Sequence, residues 1–262
     1  MQLVGAAVSL VVDVGSYLFS AACLLTLPSS SERAGSRASG GMLAQMREGL
    51  VYVRRDPVIG PMALAAASLN FTAAALAAMF SPFLVHTLDL NPAAVGALIA
   101  SDGLGGVVGA AIANRTVQLL GTARAALGAI CAAPLFALMI GAATQGFGLS
   151  LFVLGNLGLA AATVVFSIVA RTHRQVAVPS EMLARVMATV RFISWGVLPI
   201  GGLVAGTLAQ LLGMRTAILL TAATLLLGPV PMLLSPARHR RELIPDETED
   251  EPGPGTRKAV PQ

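Results

Sequence analysis

FISWGVLPIGGLVAGTLAQLL (192–212) and MRTAILLTAATLLLGPVPMLLS (214–235) are two apolar runs separated by one glycine, and Arg215 is the one charged residue in the pair. Each run matches the roughly 20 residues that a helix needs to cross a hydrocarbon core. The same reading applied outward finds further spans near 3–27, 58–85, 93–114, 123–143 and 147–170 of the 262-residue chain. Hydrophobic residues make up 55% and charged residues 11%, and the mean hydropathy is +0.77. A soluble domain carries roughly 25% charged residues, so composition excludes that class and predicts an all-α, multi-pass membrane protein whose partner is the lipid bilayer. Cys23 and Cys131 both sit inside apolar runs. They form no disulfide framework and offer no metal-ligand spacing, so neither a metal nor another cofactor is implied. No cleavable signal peptide is expected, because the first apolar run is too long and no basic segment precedes it.

The basic residues are almost all arginine, and they predict the orientation. Arg33, Arg37, Arg47, Arg54 and Arg55 fall in the first long gap, Arg115 and Arg124 flank the second, and Arg171, Arg174, Arg185 and Arg191 flank the third. With Arg238, Arg240, Arg241, Arg257 and Lys258 of the tail, sixteen of the 17 basic residues lie on one face. The positive-inside rule then places the tail in the cytoplasm and the N-terminus outside the cell membrane. Residues 28–41, PSSSERAGSRASGG, read as a flexible linker. In 42–55 Leu43, Met46, Leu50 and Val53 recur at helical spacing, with Arg47, Glu48, Arg54 and Arg55 largely on the other faces. Two readings fit: an amphipathic helix on the cytoplasmic membrane surface, or a solvated helix without lipid contact. The tail, with RHRR at 238–241 and DETEDE at 246–251, reads as disordered. Its basic cluster is short and lacks interleaved aromatics, so no nucleic-acid partner is expected.

Asp13 and Asp102 lie near the middle of their spans. An ionisable group at that depth costs about 2.5–3.5 kcal/mol on insertion scales and marks an ion path or a protein interior. Ser16, Tyr17 and Ser20 share a face with Asp13, and Gly105, Gly106 and Gly109 are expected to share one with Asp102, where a neighbouring helix approaches. Either carboxylate serves as a proton-coupling group or, protonated, as a packing hydrogen bond. Asn70 and Asn156 are candidates for lining a substrate cavity or for interhelical hydrogen bonds. Pro134 and Pro199 are expected to kink their helices, Gly202 and Gly206 to form a close-packing pair, and Phe192 and Trp195 to anchor at the membrane interface. Enzyme chemistry finds no support. The Gly-x-Gly-Asp pattern of intramembrane aspartyl proteases is missing, as Asp102 follows Ala100–Ser101. All three histidines, His86, His173 and His239, fall outside the spans, and there is no P-loop.

LVVDVGSYLFSAACLL (10–25), REGLVYVRRDP (47–57), SDGLGGVVGA (101–110) and above all RQVAVPSEMLARVMATVRFISWGVLPIGGLVAGTLAQLLGMRTAILL (174–220) carry a resemblance. They resemble the sixth helix, the central linker, helix eight and the helix ten-to-twelve region of the major facilitator superfamily, in the branch of enterobactin exporters and macrolide efflux proteins. Ala184 stands where that branch commonly has Gly, and NRTVQLLGTAR (114–124), with Asn114 in place of Asp, is a worn copy of the superfamily loop signature. The resemblance implies a first helix equivalent to helix six (1–27), a cytoplasmic linker with a short amphipathic helix (28–57), a six-span C-terminal bundle (58–235) and a cytoplasmic tail (236–262). It implies proton-coupled export of small amphipathic molecules such as drugs or siderophores, with protons as antiported partner. Glu181, Arg185 and Arg191 are the implied cytoplasmic gate, Arg185 foremost; orientation by the positive-inside rule alone is the competing account of these charges. Helices one to five have no counterpart, so the chain is expected to be N-terminally truncated and not to transport by itself; a non-transporting seven-helix scaffold or assembly protein is the alternative.

Overall fold

A computed structural model describes residues 2–26 and 42–235; the expectations for the linker at 28–41 and the tail at 236–262 lie outside these residues. The chain forms two compact units, Met1–Gly41 and Met42–Gln262. In the first, Gln2–Leu25 is one 24-residue helix, α1, with an apolar stretch at Val11–Cys23.

The second unit is all helical among the described residues. It begins with α2, Met42–Arg55, and α3, Ile59–Pro82, which runs on through a π-helical turn at Phe83–Thr87. There follow α4 (Pro92–Leu120), α5 (Thr122–Ala142), α6 (Leu149–Ala177), α7 (Ser180–Trp195), α8 (Leu198–Leu212), α9 (Met214–Thr224) and the short α10 (Val230–Leu234). Six segments among the described residues are long and apolar enough to cross a membrane: Ile59–Thr87, Pro92–Leu120, Thr122–Ala142, Gly146–Ala177, Ser180–Leu212 and Met214–Leu234. This is an all-α membrane protein.

Two helices, α3 and α4, start where a side chain caps them. Asp56 Oδ1 accepts the N–H groups of Val58 (2.8 Å) and Ile59 (2.7 Å) at the head of α3. Asn91 Oδ1 accepts from the Ala94 N–H at 2.9 Å, with Pro92 at the first position of α4. The lone basic residue of the opposite face has a capping role too. Arg215 donates to the Ala143 carbonyl at 2.7 Å, just past the end of α5, and its guanidinium lies 5.9 Å from the Phe83 ring centre.

Several helices outrun their apolar runs. The segments 115–120 and 171–177 are helical rather than open connections, and the fifth span begins at Ser180 rather than near 192. A 29-residue helix such as α4 is about 44 Å long, against about 30 Å of hydrocarbon. Hydropathy therefore marks the lipid-crossing part, while the polar ends keep the same backbone hydrogen bonds beyond it.

A repeat also emerges. QLLGTAR (118–124) joins α4 to α5, and QLLGMRT (210–216) joins α8 to α9. In each, one glycine makes the whole connection: Gly121 with φ 85° and ψ 163°, Gly213 with φ 84° and ψ 155°, in the positive-φ region that favours glycine. These turns follow the second and the fifth spans, three crossings apart, so they lie at opposite ends of the bundle. The same one-glycine turn thus recurs after the second and the fifth spans.

Packing relies on small residues, since lipid gives helices little hydrophobic reason to associate. α6 lies between α4 and α5, while α3 packs on α8, α7 and α9, and α5 meets α9. Phe83, Phe152 and Phe166 fill the centre, and Phe80 meets Phe152 edge-on at 5.2 Å. A methyl group at Gly109 would sit 2.6 Å from the Ala161 carbonyl oxygen, and one at Gly105 would collide with the Leu157 carbonyl. On α8 the close approach falls one residue before the expected Gly202/Gly206 pair. Gly201 rests on the Phe71 carbonyl and Ala205 is fully buried, whereas Gly202 and Gly206 face open space. A single-residue shift turns a helix by about 100°, and a Gly-Gly pair does not reveal which member faces inward.

These contacts predict opposite outcomes for two neighbouring glycines. Gly105→Ala should destabilise the bundle by about 1–3 kcal/mol in an SDS unfolding titration, because a backbone carbonyl cannot step aside. Gly103→Ala, which meets nothing within 4 Å, should be neutral or slightly stabilising.

Candidate functional site

The candidate site is built on the seam between α4 and α6. Ser101, Gly105, Gly109 and Ala113 of α4 are buried. Asn156, 2% exposed on α6, donates from Nδ2 to Ser101 Oγ at 3.0 Å, and the Ser101 hydroxyl donates to the Leu98 carbonyl at 2.6 Å. This interhelical bond is where the structure places Asn156. It fixes the rotation of α4, and Asp102, next in sequence to Ser101, is thereby carried out of the seam and exposed.

The expected sharing of one face by Asp102 and the three glycines holds only in part. Gly105 and Gly109 are clamped on α6, whereas Gly106 has Val164 Cγ2 as its nearest neighbour, 4.0 Å away, and stands beside Asp102 off the contact line. The other flank of α4 differs in chemistry. Val108, Ile112, Thr116 and Leu120 line a groove of about 490 Å³ with residues of α5 and α6, including Phe136 and Leu154. Its one polar side chain, Thr116, spends its hydroxyl on the Ile112 carbonyl at 2.8 Å. One flank of α4 therefore offers a carboxylate, the other hydrocarbon.

Asp13, Ser16 and Tyr17 lie on α1 and are exposed, Tyr17 at 71%; the Ser16 hydroxyl donates to the Asp13 carbonyl at 2.8 Å. Asn70 is half-buried on α3. Sequence reasoning passed over two buried polar residues of the six-span unit. Thr72 on α3 and Thr221 on α9 are buried, and neither hydroxyl has a hydrogen-bond partner. A threonine within an apolar run carries no sequence signal that separates a packing residue from a buried polar one.

A second cluster sits where α2 meets α7. The Arg185 guanidinium pairs with the Glu48 carboxylate, and it also approaches Met182 Sδ at 3.7 Å. Gly49 packs on the Arg185 backbone and Thr189, while Val53 is buried among Ile59, Ala63, Val178, Val186 and Val190. α2 is thus docked on protein through Gly49 and Val53, and neither surface reading of this segment describes that face. Met46 and Leu50 stay exposed, along a groove shared with Phe192 and Ile193. Of the expected gate residues, Arg185 is the one in an ion pair among the described residues, and its partner comes from the linker helix, 137 residues away. Glu181 accepts a hydrogen bond from the Ser180 hydroxyl at 3.2 Å, and Arg191 lies 4.2 Å from the Trp195 ring centre. Tyr52, Asp56 and Met182 line a pocket of about 740 Å³ under α2 with Arg47, Glu48 and Arg55. Burial, and then the Asp56 carboxylate, raise the Tyr52 phenol above its ordinary range and keep it neutral.

Six helices among the described residues, long and apolar enough to cross a membrane and one of them carrying an exposed carboxylate in mid-span, define a multi-pass membrane protein with one polar flank, a combination that suits transport. The family is more particular. The profile described as transmembrane secretion effector, within the major facilitator superfamily, matches residues 1–254, and the chain belongs to that family. No curated protein and no solved structure matches it significantly.

The Glu48–Arg185 pair should act as a measurable coupling between α2 and α7. Its side chains are 53% and 24% exposed, so a double-mutant cycle with Glu48→Gln and Arg185→Gln should give about 0.2–1 kcal/mol, shrinking in high salt. Strictly additive single substitutions would contradict the pairing.

Proposed function

We propose that the protein is a proton-coupled exporter of small amphipathic molecules, drugs or siderophores among them, in the cell membrane. In this reading the six spans from Ile59 to Leu234 serve as the second of the superfamily's two bundles, and α1 corresponds to its sixth helix. The tail is cytoplasmic and the N-terminus extracytoplasmic, as the arginine distribution favours. Within the six-span unit Asp102 is the principal coupling carboxylate and Asn70 a substrate contact; on α1, taken by itself, Asp13 is a second coupling carboxylate and Ser16 and Tyr17 are substrate contacts. Asn156 supports Asp102 from behind, through Ser101. Glu48 and Arg185 form the gate contact, with Glu181 and Arg191 on the same helix.

The observation that carries this reading is the exposure of Asp102 in mid-span, on the one polar flank of α4. Lipid contact there would cost about 2.5–3.5 kcal/mol, whereas a water-filled interface between bundles removes that cost and lets the group exchange protons. The small, uncharged side chains around it suit cargo that is large and weakly charged.

Accumulation of a panel of dyes, macrolides and siderophores in the native cell tests the proposal. Deleting the gene should raise accumulation of at least one compound, and restoring it should lower accumulation again. Restoration with Asp102→Asn should leave efflux down by about an order of magnitude or more. Accumulation unchanged across the panel, or full efflux by the Asn variant, would contradict it.

A further inference from the structure

Arg174, near the end of α6, is only 9% exposed, and its Nε and Nη1 atoms are buried without a hydrogen-bond partner. His173 beside it is 6% exposed, and its Nδ1 also lacks a partner. The charged side chain acting on Arg174 among the described residues is Arg171, exposed and of the same sign. Asp56 is near enough to His173 to act on it, but Asp56 Oδ1 already accepts the Val58 and Ile59 N–H groups. A guanidinium held out of water with no carboxylate opposite it is strongly unfavourable, and two arginines one turn apart compound the cost. This end of α6 has a vacant anion requirement.

The chain itself carries an acidic run within reach of this place. The Ser235 hydroxyl, just past α10, donates to the Pro57 carbonyl, and Pro57 follows Asp56. Ser235, the last described residue, therefore sits beside the turn whose Asp56 acts on His173. Asp246 comes 11 residues after Ser235, a reach of up to about 36–40 Å when extended. Five of the six residues in Asp246–Glu251 are carboxylates. Tethering at this distance gives an effective concentration of about millimolar.

We propose that the acidic run Asp246–Glu251 docks on the end of α6, its carboxylates pairing with Arg174 and Arg171. The occupant is this segment of the same chain, recognised by paired carboxylate–guanidinium hydrogen bonds. The contact ties the tail to the end of α6 that leads through Val178 and Pro179 into α7, the helix that carries Arg185. It rests on the geometry of this end of the bundle and not on the transport reading.

The test uses the full chain in nanodiscs of neutral phosphatidylcholine, with Cys23→Ser and Cys131→Ala removing the native thiols. Gln175→Cys, exposed beside Arg174, is paired with Thr248→Cys in the acidic run, and disulfide formation is followed under copper-phenanthroline. The expected result is a cross-linking rate about tenfold above that of Thr248→Cys paired with Gln118→Cys, a same-end control. Converting Asp246, Glu247, Glu249, Asp250 and Glu251 to their amides should bring the rate down to the control, and no residue of the bundle changes in that variant. Arg174→Gln should lower the rate in the same direction. A rate equal to the control in the unmodified tail, or one that survives neutralisation of the tail, would overturn the proposal. So would loss of the cross-link on adding phosphatidylglycerol at constant ionic strength, since the occupant would then be a lipid phosphate.

Discussion

The approach of α4 to α6 through Gly105 and Gly109 is the contact on which the rest of the site depends. Side chains at either position would collide with carbonyl oxygens of α6, so glycine sets the separation of the two helices. At that separation Asn156 reaches Ser101, and the hydrogen bond locks α4 about its own axis. Everything that distinguishes the two flanks of α4 follows from this rotation: Asp102 and Gly106 emerge on one side, Val108 and Ile112 on the other. Without a hydrophobic driving force between helices in lipid, van der Waals contact and one buried hydrogen bond decide which way a carboxylate points.

A second constraint operates at the end of the bundle that the arginines mark. The spans there extend past the hydrocarbon, and the overhanging turns of α6 and α7 become a protein surface of their own. α2 docks on α7 through Gly49 and Val53, Ser235 is held on Pro57, and Asp56 caps α3. Charges that serve orientation thus also serve assembly. Arg185 meets Glu48, Arg191 covers Trp195, and Arg174 is buried. Counting arginines for topology treats these three as equivalent, whereas their surroundings separate them entirely.

Much of the fold was legible because lipid demands a long apolar run from every crossing helix. The six spans of the second unit, the all-α class and the superfamily followed from those runs and from the 174–220 segment. Asp102 was legible as an exception to apolarity, and Arg185 through its place in a resembled motif. Partners were not legible. Glu48 lies far from Arg185 in sequence, and its helix carries an apolar stripe that does not say whether lipid or protein covers it. Serine 101 looked like any small residue, so the Ser101–Asn156 bond was hidden. The Gly201/Gly202 choice turns on one residue of helix phase. The QLLG repeat escaped because two four-residue matches mean little until both glycines are seen to make the same turn.

Reactivity in intact membranes with a membrane-impermeant, charged thiol reagent tests the two-flank account most directly. In a background with Cys23→Ser and Cys131→Ala, single cysteines replace Asp102 and Gly106 on one flank and Val108 and Ile112 on the other. A water-lined face predicts fast modification of Asp102→Cys and Gly106→Cys and protection of Val108→Cys and Ile112→Cys. Equal protection at all four positions would place both flanks in lipid, and the role assigned to Asp102 would fall with it.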